Sequence, residues 1–205
     1  VIIFLQAGGP ESVRSLTPER VVELVYRLPD YGIEYEFLPT DFIQINHEIN
    51  NKMVGLALQL LAPDRQDDVL ELFCGLGNFS LPLARRCRQV TAVEGDKGLI
   101  ERARRNASRN AITNVEFHAM DLAKEDLHVD FIEHKHAGVL LDPPRTGAAE
   151  IIKRLSFPGT ERIVYVSCNP ATLARDAGML VRDKGFHLQK AGVMDMFPHT
   201  AHIES

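Results

Sequence analysis

Cys168 stands where the apolar run Val164-Tyr165-Val166 gives way to Ser167-Cys168-Asn169-Pro170. A cysteine that leaves a strand end just before a helix lies near partial positive charge. Such charge lowers a thiol pKa and raises the share of nucleophilic thiolate. The same position also suits a cysteine that only packs. Cys74 and Cys87 read as packing residues, one beside a glycine turn and the other near a strand start. One strand before Cys168, Leu140-Leu141-Asp142-Pro143-Pro144-Arg145 repeats the arrangement. Two prolines fix the backbone direction, so the loop holds Asp142 and Arg145 rigidly near any cleft at that end. Toward the end of the chain His199, His202 and Glu204 are candidate proton carriers. His-x-x-His-x-Glu on a proline-containing loop is a weak metal pattern with no supporting ligand spacing elsewhere, so no metal is assigned.

A second set of residues suits a nucleoside. The run Phe73-Cys74-Gly75-Leu76-Gly77-Asn78-Phe79-Ser80 follows an apolar strand, and Gly75 and Gly77 let the backbone turn tightly against a ligand. Glu94 ends the next strand nineteen residues after Gly75, the spacing at which an acidic side chain meets ribose hydroxyls. Ser80 replaces the third glycine of a dinucleotide fingerprint, which points to a nucleoside ligand without phosphates, namely S-adenosyl-L-methionine. Asp121, after the third strand, suits either an adenine amino group or a turn.

The elements that must position these groups follow from periodicity. Apolar runs at 69–73, 90–94, 115–118, 139–142 and 163–167 alternate with helical patterns at 79–86, 97–110, 148–155 and 171–184. Such alternation predicts an α/β doubly wound parallel sheet, Rossmann-like, with right-handed crossovers. Ligands of these sheets bind outside the carboxyl ends of the strands, where the singled-out residues lie. Upstream, helical spacing over 46–61 and an apolar–acidic alternation over 33–37 predict one helix and one strand. The division expected is a β-rich connector over 1–45 and a catalytic domain over 46–205.

With 23 basic and 28 acidic residues among 205, the net charge is −5, and three cysteines are too few for a disulfide framework. No apolar run approaches the roughly 20 residues of a membrane span. A secreted scaffold, a membrane protein and a polybasic binder are disfavoured, and a cytoplasmic location is expected.

Taken together, residues 73–79, Leu141-Asp142-Pro143-Pro144-Arg145, the run 166–176 around Ser167-Cys168-Asn169-Pro170, and Asp195-Met196-Phe197-Pro198-His199-Thr200 resemble the RNA (uracil-5-)-methyltransferase family. The likeness is strongest to its members that methylate 23S ribosomal RNA, and Phe42-Ile43-Gln44-Ile45-Asn46 matches the family's segment ahead of the fold. The resemblance implies a class I S-adenosylmethionine-dependent methyltransferase fold. It implies cofactor contacts from Gln44, Phe73, Asn78, Glu94, Asp121 and Asp142, joining Gly75 and Gly77. It implies Cys168 as nucleophile toward uracil C6 and Glu204 as general base. Asp142 and Arg145 lie where either could position the uracil or the cofactor, and Asn169 is a further substrate-side candidate. RNA, and 23S ribosomal RNA in particular, is the partner implied; no protein partner and no membrane are expected. The family carries an RNA-binding domain and the cysteines of an iron–sulfur cluster upstream, and a further strand after Glu204-Ser205. The chain, which begins at Val1 inside an apolar run, therefore reads as a catalytic portion without the cluster. Amino-group methyltransferases share the Asp-Pro-Pro loop but need no nucleophile. Cytosine-5 enzymes place Pro-Cys in that loop, where this sequence has Pro-Pro-Arg. A non-catalytic module binding S-adenosylmethionine or RNA is the third alternative.

Overall fold

Two antiparallel hairpins come first, β1 (Phe4–Gln6) with β2 (Val13–Ser15) and β3 (Leu24–Leu28) with β4 (Ile33–Phe37). Helix α1 (His47–Leu61) leads into an alternating series. The series runs β5 (Asp68–Leu72), α2 (Ser80–Ala84), β6 (Gln89–Glu94), α3 (Lys97–Arg109), β7 (Val115–Ala119), α4 (Asp130–Glu133), β8 (Gly138–Leu141), α5 (Ala149–Arg154), β9 (Arg162–Tyr165) and α6 (Pro170–Lys184). The computed structural model describes residues 3–17, 23–123, 130–200 and 202–205. Strands β5 to β9 form one parallel sheet in the order β7-β6-β5-β8-β9. The doubly wound α/β expectation holds. The order in which successive strands are laid down reverses between β5 and β8, so the switch point opens at their carboxyl ends.

The central strands β6, β5 and β8 are covered on both faces, which explains why they read as largely apolar runs, whereas the edge strands β7 and β9 keep exposed positions. Val69, Val90, Ala92, Leu140 and Val164 face one apolar cluster. Leu70, Leu72, Val93, Val139 and Leu141 face the other. Helix starts are fixed by side chains that accept orphan amides: Asn46 from Ile49 N, Asp96 from Leu99 N and Asn169 from Ala171 N. The short helix α4 escaped the periodicity reading, because four residues span little more than one turn.

Tyr26, Leu28, Ile33 and Tyr35 of the second hairpin are buried in the same cluster as Val69 and Leu140. Two asparagines, Asn106 of α3 and Asn110 at its C-terminal cap, complete the seam. Asn106 and Asn110 each donate to and accept from the β4 backbone, at Glu36 and Glu34, over 2.8–3.1 Å. Their carboxamides supply the donor and acceptor that a neighbouring strand would otherwise offer to this edge. The hairpin thus packs against α3 and the sheet rather than standing apart.

After α6 the chain runs exposed over 187–193 and turns back. Met194 and Glu204 pair antiparallel, and Ser205 exchanges both backbone hydrogen bonds with Ser167. The last residues are thereby fastened beside the carboxyl end of β9.

Candidate active site

All five strands of the sheet deliver a singled-out residue at or just beyond their carboxyl ends: Phe73, Glu94, Asp121, Asp142 and Cys168. After β5 the chain doubles back so sharply that the amides of Phe73 and Cys74 both donate to Val93 O, at 2.8 and 3.0 Å. Phe73 adopts φ +68, a left-handed conformation that costs a non-glycine residue roughly 1 kcal/mol or more. Such strain persists only where the surroundings enforce it. Gly75, at φ +56, faces open space where a side chain would stand. Glu94 braces this turn, accepting from Gly75 N and Asp96 N at 3.1 Å each. Asp121 accepts from Ala123 N at 3.1 Å and lies against Gly95. Gln44 Oε1 is buried with no hydrogen-bond partner among the described residues.

Asn78 is placed differently from a side chain that reaches for a ligand. Its carboxamide forms a reciprocal pair with Asn50, at 2.9 and 3.0 Å, and accepts from Tyr26 OH at 3.1 Å. Tyr35 OH lies 3.2 Å from Gly77 O and 3.3 Å from Asn78 O. The second hairpin and α1 therefore hold the glycine loop from behind.

The sequence reading missed Glu71, although a lone acid inside Val69-Leu70-Glu71-Leu72 is a visible anomaly. Its side chain is fully buried beneath the loop, where Oε2 accepts from Ser80 Oγ at 2.6 Å and Oε1 has no partner. Burial pushes its carboxyl up to about 8 against the Ser80 bond, and the charges of Asp142 and Glu94 push the same way. Between its ordinary 4.5 and about 8, the folded state keeps a proton that the unfolded chain has lost. Wild-type stability must fall as pH rises through that window. Glu71→Gln keeps a partner for Ser80 and removes the titration. Its melting temperature relative to wild type should be higher at pH 8 than at pH 5 by at least about 3 °C. An equal difference at both pH values would mean that Glu71 ionises freely in the folded protein.

At the other side of the switch point stand Asp142, Arg145, Cys168 and Glu204. Asp142 is raised to about 8 by burial, with Glu204 and Glu94 adding to the shift. Glu204 is 5% exposed, and burial raises its carboxyl. The Met194 pairing and the Ser205–Ser167 exchange on either side of it set its place beside Cys168. Arg145 Nη1 lies 3.2 Å from His202 Nδ1. The expected low thiol pKa of Cys168 is corrected by the structure. Burial and the nearby Glu204 raise it, Asp142 adds to the rise, and Arg145 is the side chain that opposes them. The helix start alone does not decide the outcome; burial first, and then the nearby carboxylates, do. Asn169 caps α6 and donates to Arg145 O at 3.0 Å, so both ends of its carboxamide have backbone partners. Cys74 and Cys87 are buried, and burial pushes both thiols up, Cys87 to about 12. His199 is exposed and left-handed at φ +67. Among the described residues, no group of His, Cys, Asp and Glu side chains is arranged to hold a metal ion, and no helix is long and apolar enough to cross a membrane.

A glycine turn and acids at the strand ends, with a cysteine and a buried glutamate across the switch point, sit on a Rossmann-like sheet of the class I methyltransferase type. The tRNA (uracil-5-)-methyltransferase family model matches residues 15–205, and the chain belongs to that family. It is 53% identical over 203 residues to the 23S rRNA (uracil(1939)-C(5))-methyltransferase RlmD of Xanthomonas euvesicatoria pv. vesicatoria, covering 99% of this chain and 46% of that protein. It is also 53% identical over 205 residues to RlmD of Xylella fastidiosa, covering 100% and 46%. The chain thus spans about half the length of the curated relatives it matches. The crystal structure of Pyrococcus abyssi tRNA (uracil-54, C5)-methyltransferase with S-adenosyl-L-homocysteine matches at TM-score 0.74 and 32% identity, covering 89% of this chain and 42% of that one. M. jannaschii TYW2, solved with AdoMet, shares the fold at TM-score 0.65 and 17% identity, covering 99% and 90%.

Proposed function

We propose that this chain carries the catalytic site of a cytoplasmic enzyme that methylates uracil C5 in 23S ribosomal RNA, with S-adenosyl-L-methionine as methyl donor. The observation that carries the reading is the meeting of Cys168 after β9, Asp142 and Arg145 after β8, and Glu204 of the returning tail beside the glycine turn. The relatives named above support the choice of uracil C5 and of 23S ribosomal RNA.

The cofactor fits the residues of the cleft. Glu94 suits the ribose hydroxyls, Asp121 the adenine amino group, and the orphaned Gln44 Oε1 a ligand donor. Open space at Gly75 lets the backbone approach a ligand. Bound there, S-adenosylmethionine supplies an electrophilic methyl group.

The protein's own work is on the base. Uracil C5 is too weak a nucleophile to be methylated directly, and covalent addition at C6 splits the step into easier ones. Cys168 Sγ, as thiolate, forms a bond to C6, and the C5=C6 electron pair moves toward C5 and the C4 carbonyl. Arg145 opposes the carboxylates and favours the thiolate. Once C5 carries its methyl group, Glu204 takes the C5 proton, the C5=C6 bond reforms, and the C6–S bond breaks to return Cys168. Reaching a half-buried cysteine requires the base to leave its stack, at a cost of about a few kcal/mol.

Ribosomal RNA containing 5-fluorouridine tests the proposal, because a C5 fluorine cannot leave as a proton. With S-adenosylmethionine present, the protein should form an RNA adduct that survives denaturing electrophoresis. Absence of that adduct, with methyl transfer to ordinary 23S RNA intact, excludes the covalent route.

A further inference from the structure

The loop after β8 is tied to α6 far more heavily than its exposure requires. Arg145 O accepts from Asn169 Nδ2 at 3.0 Å and from Thr172 Oγ1 at 3.2 Å. Thr146 O accepts from Arg175 Nη2 at 2.8 Å. Ala148 N donates to Asp176 Oδ2 at 2.7 Å, and the same oxygen accepts from Tyr165 OH of β9 at 2.6 Å. Arg175 Nε donates to Asp176 Oδ1 at 2.7 Å. Gly147, at φ +77, lies so close that a side chain there would come within 2.5 Å of both Arg175 Nη2 and Asp176 Oδ2. The hub of this lattice, Asp176, is fully buried on a helix whose neighbours are partly exposed. Burial alone would raise its carboxyl, but hydrogen bonds from Arg175, Tyr165 and the Ala148 amide outweigh it and keep the group ionised.

We propose that Asp176, acting with Arg175 and Thr172, is a positioning residue that clamps the Arg145 loop to α6 and so holds the Arg145 guanidinium at Cys168. Cys168 sits on the turn that enters α6, so whatever locks the loop to α6 also fixes cation against thiol. A buried carboxylate with three donors is costly to keep for fold stability alone, since apolar packing serves a helix as well. Here it spans β9, α6 and the loop, the three elements that must keep register around the cysteine. The proposal rests on the reading of Cys168 as nucleophile, and its test does not use turnover.

The readout is the pH dependence of Cys168 alkylation by iodoacetamide, followed by peptide mass spectrometry. Buried Cys74 and Cys87 serve as unreactive references. The charged and titratable groups around Cys168 are Arg145 and Asp142 from the loop, Glu204 from the tail, and His202 of the tail, whose Nδ1 lies 3.2 Å from Arg145 Nη1. Arg145→Met should move the inflection up by about one pH unit, a roughly tenfold slower alkylation at pH 7. Asp176→Asn should move it the same way, and the double variant should move it little further than Arg145→Met alone. Thr172→Val removes one bond to the loop without burying a charge, and should give a smaller shift of the same sign even if Asp176→Asn fails to fold. The clamp is overturned if Arg145→Met shifts the inflection while Thr172→Val and any folded Asp176→Asn leave it in place. It is equally overturned if Arg145→Met shifts nothing. Failure of wild-type protein to form the 5-fluorouridine adduct defeats the nucleophile reading instead, and leaves these thiol comparisons standing.

Discussion

Cys168→Ala is expected to lower methyl transfer to 23S ribosomal RNA on the order of 10⁴-fold or more, the scale that follows loss of a covalent nucleophile. S-adenosylmethionine binding should stay within about threefold of wild type, because none of the residues of the glycine turn is altered. Two measurements separate these effects: calorimetric titration with the cofactor, and incorporation of labelled methyl groups into unmodified RNA. The contrast is sharp among the three cysteines. Cys74 and Cys87 are buried, whereas Cys168 is half-exposed just beyond a strand end among Arg145, Asp142 and Glu204. Cys87→Ala should therefore act only on stability, at about 1–3 kcal/mol for a small buried side chain. The same Cys168→Ala protein must also fail to form the 5-fluorouridine adduct. An enzyme acting on an amino group needs no nucleophile, so near-normal rates in the alanine variant would move the assignment to that class.

The sheet was legible because parallel strands covered on both faces need apolar side chains at every position, and that leaves continuous runs in the sequence. The helices were legible from spacing and from cap residues such as Asn46, Asp96 and Asn169. Glycine spacing and the distance to Glu94 located the turn after β5 and the acid that braces it, because both are local consequences of a turn at a strand end. What the sequence hid depends on contacts between distant residues. No periodicity announces that Asn78 will pair with Asn50 and Tyr26, or that Asn106 and Asn110 will serve as a pseudo-strand for β4. The thiol of Cys168 shows the same limit in electrostatic form. Its place before a helix was readable and argued for a lowered pKa. The folded chain adds burial and the charge of Glu204, thirty-six residues away, and these raise it instead. Asp176 was visible only as a letter in a motif, since a hub with donors from Ala148, Tyr165 and Arg175 exists only after β9, α6 and the loop have met.

Glu204→Gln is expected to separate the two halves of the reaction. The amide is isosteric and the Met194 and Ser205 pairings that hold this position use backbone atoms, so the fold should survive. Burial raises the wild-type carboxyl, which makes its ionised form a stronger base nearer to working pH. Glutamine cannot take the C5 proton, so turnover should drop by about 10²–10⁴-fold, the usual contribution of a placed base. Addition at C6 and arrival of the methyl group do not need that base. The variant should therefore accumulate a methylated, covalent RNA complex approaching one per enzyme, stable to denaturant and absent from the Cys168→Ala, Glu204→Gln double variant. Removing the Glu204 charge also removes one of the forces that raise the Cys168 thiol. Alkylation of Cys168 should accordingly speed up at pH 7, opposite in sign to the effect of Arg145→Met. Turnover within about threefold of wild type would exclude Glu204 as the base. Slow turnover without a trapped complex would mean that Glu204 acts before the bond to C6 forms, by taking the thiol proton rather than the one on C5.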